Sequence, residues 1–362
     1  LTCQKLYDLL GENTVVGKEI SMAATISREI RLKHRPVGLP SLGDFELVAV
    51  PVPAPAEGEV LVRNLYMSVD PYMRGRMTGQ ASYVEPFQLG QALEGGCVGH
   101  VVESNGGKFR VGDSVLGRQG WREYYVSNGG DLTAIDVTAA PPQAYLGVLG
   151  MPGLTAYVGL LDIGQPQAGN TVFVSAAAGA VGSVACQIAK LKGCHVVGSA
   201  GSAAKVGWLR QVAGVDAFNY KEVGSLSAEL GKRCPHGIDV YFENVGGAHL
   251  DAALEHMNMR GRIALCGMIS QYNDTDPSPG PSNLRLAVRK RLTLQGFIVS
   301  DHVDRRPQFY ADMGAWIAAG QITWEETVVD GIENAPEAFL GLFKGDNMGK
   351  MLVRLDSEPP AR

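Results

Sequence analysis

No two of the six cysteines form a CxxC pair: Cys3, Cys97, Cys186, Cys194, Cys234 and Cys266 are scattered through 362 residues. A disulfide-stapled small domain or a thiolate zinc ribbon needs closer spacing, so these read as free thiols and no disulfide is expected. Long apolar runs are missing too. Nothing approaches the roughly 20 apolar residues that cross a bilayer, and the first residues carry no apolar secretory core, so a cytoplasmic protein with no membrane partner is expected. A basic patch is equally absent. Net charge is -5, Lys and Arg are dispersed, and the densest group, Arg289 to Arg291, is short and reads as a solvated helix end. Nucleic acid is therefore not an expected partner.

What is present is apolar material, 45% of residues against 19% charged, in a chain too long for one ordinary domain. Residues 1–22 differ from the rest of the chain, and Met22 directly precedes the first strand-like segment. They read as an N-terminal extension, extraneous or from an alternative start, and are expected to be disordered. From Thr25 to about Gly150, short β-rich segments are punctuated by Gly and Pro: ISREIRL, FELVAVPVP, EVLVRNLYMSV, GCVGHVVES and DSVLG. That spacing predicts a compact β-barrel-like domain. After Gly150, strands alternate with helices, the pattern of βαβ units on a parallel sheet, and six parallel strands are expected. The strands are TVFVSA, CHVVGSA, DVYFEN, RIALCG and LTLQGFIV at 292–299, with one more unassigned. From Gly320 the text turns strand-like again, in ITWEETVVDGI and GKMLVRLD around a short helix, APEAFLGLFKG. The expected division is 23–149 plus 321–357 for the first domain and 150–320 for an inserted nucleotide domain.

SAAAGAVGS at 175–183 lies between a predicted strand and a helix, the context a dinucleotide loop requires. Ala177-x-Gly179-x-x-Gly182 is a GxGxxG variant with Ala first. Small residues let the backbone approach a pyrophosphate, and the helix offers its positive end. A tight turn without a ligand is the alternative. After the second strand, an NAD enzyme usually carries Asp or Glu for the ribose 2′-OH. The stretch GSAGSAAK has neither; it offers Ser199 and Ser202 and ends in Lys205. An ammonium attracts a 2′-phosphate that a carboxylate would repel, which favours NADP(H).

Metal ligands are the last absence. Cys97, His34 and His100 have no ligand spacing, and no four-cysteine lobe is present, so no metal is expected. A tyrosine is then the natural group to hydrogen-bond a carbonyl and stabilise a developing enolate. Tyr66, Tyr72, Tyr157, Tyr241 and Tyr272 are candidates on composition alone.

These segments carry a resemblance. NLYMSVDPYMRGRM from Asn64, AAAGAVGSVACQIAKLKGCHVVGSAGSAAKV from Ala176, FNYK from Phe218, ENVGG from Glu243, ALCGMISQYN from Ala264, LQGFIV from Leu294 and KGDNMGKMLV from Lys344 span almost all of 23–355. The chain resembles the leukotriene B4 12-hydroxydehydrogenase, alkenal double-bond reductase and curcumin-reductase-like branch of the medium-chain dehydrogenases. The resemblance implies an α/β fold: a GroES-like β-barrel catalytic domain with an inserted Rossmann doubly wound parallel sheet. It also implies no zinc, NADPH as reductant and a homodimer. By the same resemblance, Gly179, Ala180, Val181 and Gly182 hold the pyrophosphate. Lys205 and Tyr220, with Ser199 beside them, take the 2′-phosphate. Asn244, Cys266, Gly267, Ile269, Tyr272, Phe297, Val299 and Asn347 line the rest of the cofactor cleft. Tyr272 and Tyr66 are the candidates for polarising the substrate oxygen, with Tyr272 preferred because its loop also touches the cofactor. Two departures stand out. Prostaglandin-reducing members carry a Tyr where this chain has Arg289 to Arg291, which argues against that specificity, and Glu243 stands where Asp is common.

The expected reaction is hydride transfer from NADPH to the β-carbon of an α,β-unsaturated ketone or aldehyde. A quinone would suit the same geometry, and a non-catalytic NADPH-binding structural protein is the alternative from another class.

Overall fold

The computed structural model describes residues 25–355, so the extension expected at 1–22 lies outside them. β1 (Ile26–Leu32) and β2 (Phe45–Pro51) pair antiparallel from Ile26 opposite Pro51 to Leu32 opposite Phe45. Pro51 ends the pair, since a proline has no N–H for the ladder. β3 (Glu59–Ser68) is the axis of the first large sheet. It pairs with β4 (Cys97–Asn105) and β6 (Tyr124–Ser127); β4 leads on to β5 (Ser114–Gly117) and β7 (Thr133–Ala134). A short helix, α1 (Met73–Arg76), follows β3.

The chain then enters α2 (Met151–Val158) and a doubly wound region: β8 (Thr171–Val174), α3 (Gly182–Leu191), β9 (His195–Ala200), α4 (Ala203–Gln211), β10 (Asp216–Asn219), α5 (Leu226–Arg233), β11 (Ile238–Glu243), α6 (Ala248–His256), β12 (Met257–Leu265), α7 (Arg285–Lys290) and β13 (Thr293–Gly296). These six strands form one parallel sheet in the order β10-β9-β8-β11-β12-β13. β8 is buried throughout and β11 nearly so, because helices cover both faces and leave no solvent side for polar residues. The order reverses between β8 and β11, and a ligand crevice is expected beyond their carboxyl ends.

After α8 (Arg306–Ala318) the tail returns to the first sheet. β14 (Glu326–Asp330) runs parallel to β15 (Lys350–Arg354), and β15 pairs antiparallel with β3, Leu352 opposite Ser68. α9 (Ala335–Lys344) lies between them in sequence. Fully buried Trp121 fastens this assembly: it stacks on Phe45 at 6.3 Å and meets Phe339 of α9 edge-on at 6.2 Å.

Two local expectations need correction. The strand expected at 292–299 stops at Gly296, and a 3-10 segment begins at Val299. Phe297 turns inward against Gly159, where any Cβ would collide with its ring, and that leaves the strand direction. The basic run is not merely solvated. Lys290 Nζ donates to Leu254 O (3.0 Å) and Glu255 O (2.7 Å) at the end of α6, where a cation complements the carbonyl end of the helix.

Candidate active site

The carboxyl end of β8 makes a tight cradle. Ala176 adopts φ +47°, which reverses the chain, and a Cβ on Gly182 would be driven into the carbonyl oxygen of Ala176. Only glycine lets α3 start so close to the turn. Gly179 is looser, with its Cβ position 3.2 Å from the same oxygen, and Ala180 and Val181 sit half-buried between the two glycines. Ala177 fills the first position because Gly198 of β9 leaves room for its methyl. The cradle is also tied to the other sheet: Gly349 N donates to Ala178 O at 2.9 Å, and Gly349 bridges to Gly179. Gly349 has φ +63° and no room for a Cβ beside Glu325 O.

Beyond β9 lies a cationic corner. Lys205 in α4 donates through Nζ to Gly345 O at 2.8 Å, and burial first, then neighbouring Lys221, lowers its pKa, while Asp346 opposes them. Tyr220 stands exposed against His249, rings 4.9 Å apart. Lys221 and Tyr220 both crowd Gly201 at 3.2 Å from its Cβ position. Lys221 is a cation that sequence spacing does not single out, although FNYK contains it. Two serines are placed differently from expectation. Ser199 is fully buried and its Oγ lies 3.1 Å from His249 Nε2, so it forms the floor of the corner rather than facing a ligand. Ser202 caps α4, accepting from Lys205 N. His249 itself is pushed down to about 4 by burial and stays neutral at physiological pH.

At the switch point, Asn244 follows β11 and closes across to β8: its Nδ2 donates to Ser175 O at 2.7 Å and its N–H to Ser175 Oγ at 2.9 Å. Glu243 beneath it is fully buried, accepting from Ser175 Oγ (2.8 Å) and Val245 N (2.6 Å), and burial raises its pKa. Cys266 and Gly267 follow β12, both donating backbone N–H to Glu243 O. Burial pushes the Cys266 thiol up to about 12, with Glu243 adding to the shift. Ile269 starts a 3-10 turn, its N–H on Asn244 O at 3.2 Å, and Tyr272 closes that turn. The Tyr272 hydroxyl accepts from Met268 N at 3.4 Å and lies 2.9 Å from the Cβ position of Gly267. Its pKa is raised, mainly by burial. Phe297 and Val299 are half-buried against the core of the doubly wound region, and Asn347 Nδ2 donates to Gly349 O at 2.7 Å.

The first sheet supplies the facing wall. Asp70 and Lys350, both buried, pair at 3.2 Å; Lys350 Nζ also donates to Val69 O (2.9 Å) and Met351 O (2.7 Å), and Asp70 accepts from Ser68 Oγ. Tyr72 follows in the same loop, its pKa raised by burial and then by Asp70. Tyr83 is largely exposed, and partial loss of water, then the Cys266 thiol, raises its pKa. Of the other tyrosines, Tyr66 packs against the buried cluster of Val98, Leu146 and Leu352 and interacts with Arg354. Tyr157 donates to Asp312 at 2.6 Å, and Tyr241 is buried against Phe173. Cys97 lies with Tyr125 in the core, and among the described residues no three His, Cys, Asp or Glu side chains converge as a metal site.

A doubly wound sheet with a cradle at its switch point, tied to a second sheet that walls the crevice, is the architecture of the medium-chain dehydrogenases, a class of oxidoreductases. Comparison with known proteins agrees. The family model described as the N-terminal domain of oxidoreductase matches 28–135, and that described as zinc-binding dehydrogenase matches 180–319. The NADPH-dependent curcumin reductase of Escherichia coli (strain K12) is 46% identical over 329 residues, 90% of this chain and 95% of the relative. The 2-alkenal reductase (NADP(+)-dependent) of Nicotiana tabacum is 45% identical over 344 residues, 93% and 100%. The crystal structure of CurA in complex with NADPH from Vibrio vulnificus superposes with TM-score 0.88 at 45% identity, covering 91% of this chain and 100% of that one. The chain belongs to the curcumin-reductase and alkenal-reductase branch of the medium-chain dehydrogenase family.

Proposed function

We propose that this enzyme uses NADPH to reduce the carbon–carbon double bond of α,β-unsaturated ketones and aldehydes. The observation that carries the reading is Tyr272: a half-buried phenol on the loop between the cofactor cradle and the facing wall, accepting from Met268 N–H and so left with its own proton to donate.

The residues present fit the dinucleotide. The cradle around Gly182 has room for no side chain, which suits a pyrophosphate approached by backbone alone, and α3 starts there. Lys205, Lys221 and Tyr220 converge where a 2′-phosphate would sit, and Ser202 stands at the end of α4. Gly179 to Gly182 would hold the pyrophosphate. Asn244, Cys266 to Ile269, Phe297, Val299 and Asn347 would line the remainder.

When bound, NADPH supplies the hydride that adds to the β-carbon of the substrate. Tyr272 donates a hydrogen bond to the carbonyl oxygen, where negative charge collects as the enolate forms. Its raised pKa keeps it protonated across neutral pH, so the donor is present without an activating base. Solvent then protonates the α-carbon. Tyr66 of β3 remains the second candidate for the same task.

Incubation with NADPH and a panel of enals, enones, saturated ketones and quinones tests the reading. Oxidation of NADPH should require conjugation, with the saturated carbonyl as product. Hydroquinone as the main product would assign quinone reduction instead, and tight NADPH binding without turnover would assign a non-catalytic role. We also propose a homodimer. β13 is an edge strand with Thr293, Gln295 and Gly296 exposed, and α7, which precedes it, exposes Val288 (82%), with Leu284 exposed just before the helix.

A further inference from the structure

Arg74 is a costly residue to bury. Only 3% exposed, it lies in α1 on the first-sheet side of the crevice, and its pKa is lowered by the loss of water around it. Its hydrogen bonds end on neutral oxygens. Nε donates to Asn273 Oδ1 at 3.0 Å, and Nη2 donates to Gly38 O at 2.7 Å and Pro36 O at 3.4 Å. Nη1 is buried and unpaired. A cation held this way gives up hydration for little pairing, which makes it a poor choice for stability alone.

What the arrangement achieves is geometric. Asn273 directly follows Tyr272, and the two belong to the loop leaving β12, in the doubly wound region. Arg74 comes from the opposite wall, 199 residues away in sequence. The 36–38 segment is drawn into the same grip: Gly38 packs 3.6 Å from Thr275 at its Cβ position. A planar guanidinium can reach three oxygens on two different segments in a fixed fork, and a lysine ammonium cannot reproduce that. Tyr272 is thereby held on two sides, by Met268 N–H at its hydroxyl and by Arg74 through the next residue. Past Asn273 the loop turns to solvent, and 274–277 are all exposed.

We propose that Arg74 is a positioning residue for the reaction: reaching across the crevice to Asn273, it fixes where the Tyr272 hydroxyl stands relative to the substrate carbonyl. This rests on the reading of Tyr272 as the group that polarises that oxygen. Arg74 does not itself touch the reacting atoms. Its effect belongs in kcat, and it vanishes when the phenol is gone.

The test is a double-mutant cycle on the full-length enzyme, with steady-state rates on an enone that the wild type turns over and NADPH affinity from its fluorescence. Arg74→Met and Asn273→Ala should each lower kcat about tenfold to a hundredfold, the scale expected of a misplaced catalytic group, with NADPH affinity changed less than about threefold. Asn273→Asp keeps the acceptor oxygen and should hold kcat within about threefold. Because Arg74→Met leaves buried carbonyls unpaired and can fail to fold, Asn273→Ala on the loop carries the test from the other side. In a Tyr272→Phe background neither change should slow the enzyme further. Losses that multiply with Tyr272→Phe, or wild-type kcat in Asn273→Ala, would overturn the positioning role while leaving Tyr272 intact. Wild-type kcat in Tyr272→Phe alone would remove the reading of Tyr272 and this proposal with it.

Discussion

At the scale of single residues, the cationic corner makes a pH-dependent prediction. Lys205 has a lowered pKa because it is half-buried and faces Lys221, so it loses its proton at a lower pH than a free lysine would. The protonated form attracts a 2′-phosphate; affinity for NADPH should therefore be full at neutral pH and fall on the alkaline side, starting below the usual lysine range. The KM for NADH, which lacks that phosphate, should stay flat over the same interval. Lys205→Ala should raise the KM for NADPH roughly 10-fold to 100-fold, as expected for a charge-assisted contact, and abolish the difference in pH profile. A KM ratio between the coenzymes unchanged by Lys205→Ala would count against the corner as the 2′-phosphate seat. The missing acid after β9 is visible in the sequence because the relevant residues are neighbours in the chain. Lys221 and Asp346 are not, since only folding brings them to Lys205.

At the scale of elements, the cradle depends on the absence of a side chain at Gly182. Gly182→Ala forces a methyl into Ala176 O, so either the turn opens or α3 shifts along its axis. We expect an enzyme that keeps its helical and strand content by circular dichroism and loses at least about tenfold in NADPH affinity, with Gly179→Ala milder because its Cβ position is more open. Strand, loop, helix and next strand are legible because periodicity and small-residue spacing are short-range signals. The six-strand parallel sheet and the strand-like tail follow from the same pattern. The end of β13 is not legible, because Phe297 looks like a strand residue locally, and what bends it is a glycine 138 positions earlier. Ser199 misleads for a related reason: a hydroxyl at a strand end reads as a ligand donor until His249 is found beneath it.

At the scale of the molecule, the crevice is bounded by contacts that no local pattern reveals. Lys350 and Val69 are 281 residues apart, yet the ammonium satisfies two carbonyls and Asp70 together. Lys350→Met would leave the Asp70 carboxylate buried without its partner, and stability should fall by about 3–5 kcal/mol, read as a lower denaturant midpoint. Asp70→Asn combined with Lys350→Met should recover part of that loss, because the pair is then removed rather than broken. A midpoint unchanged by Lys350→Met would mean that water already reaches the pair.

The tie between Gly349 and Ala178 has a temporal consequence. The nucleotide sheet is complete by Gly296, long before the ribosome reaches the residues that brace its loop and complete the sheet opposite. A nascent chain can thus carry all six strands of the nucleotide sheet and still lack a catalytic crevice. The crevice gains its opposite wall only when β15 slots between β14 and β3, two strands that were waiting for it.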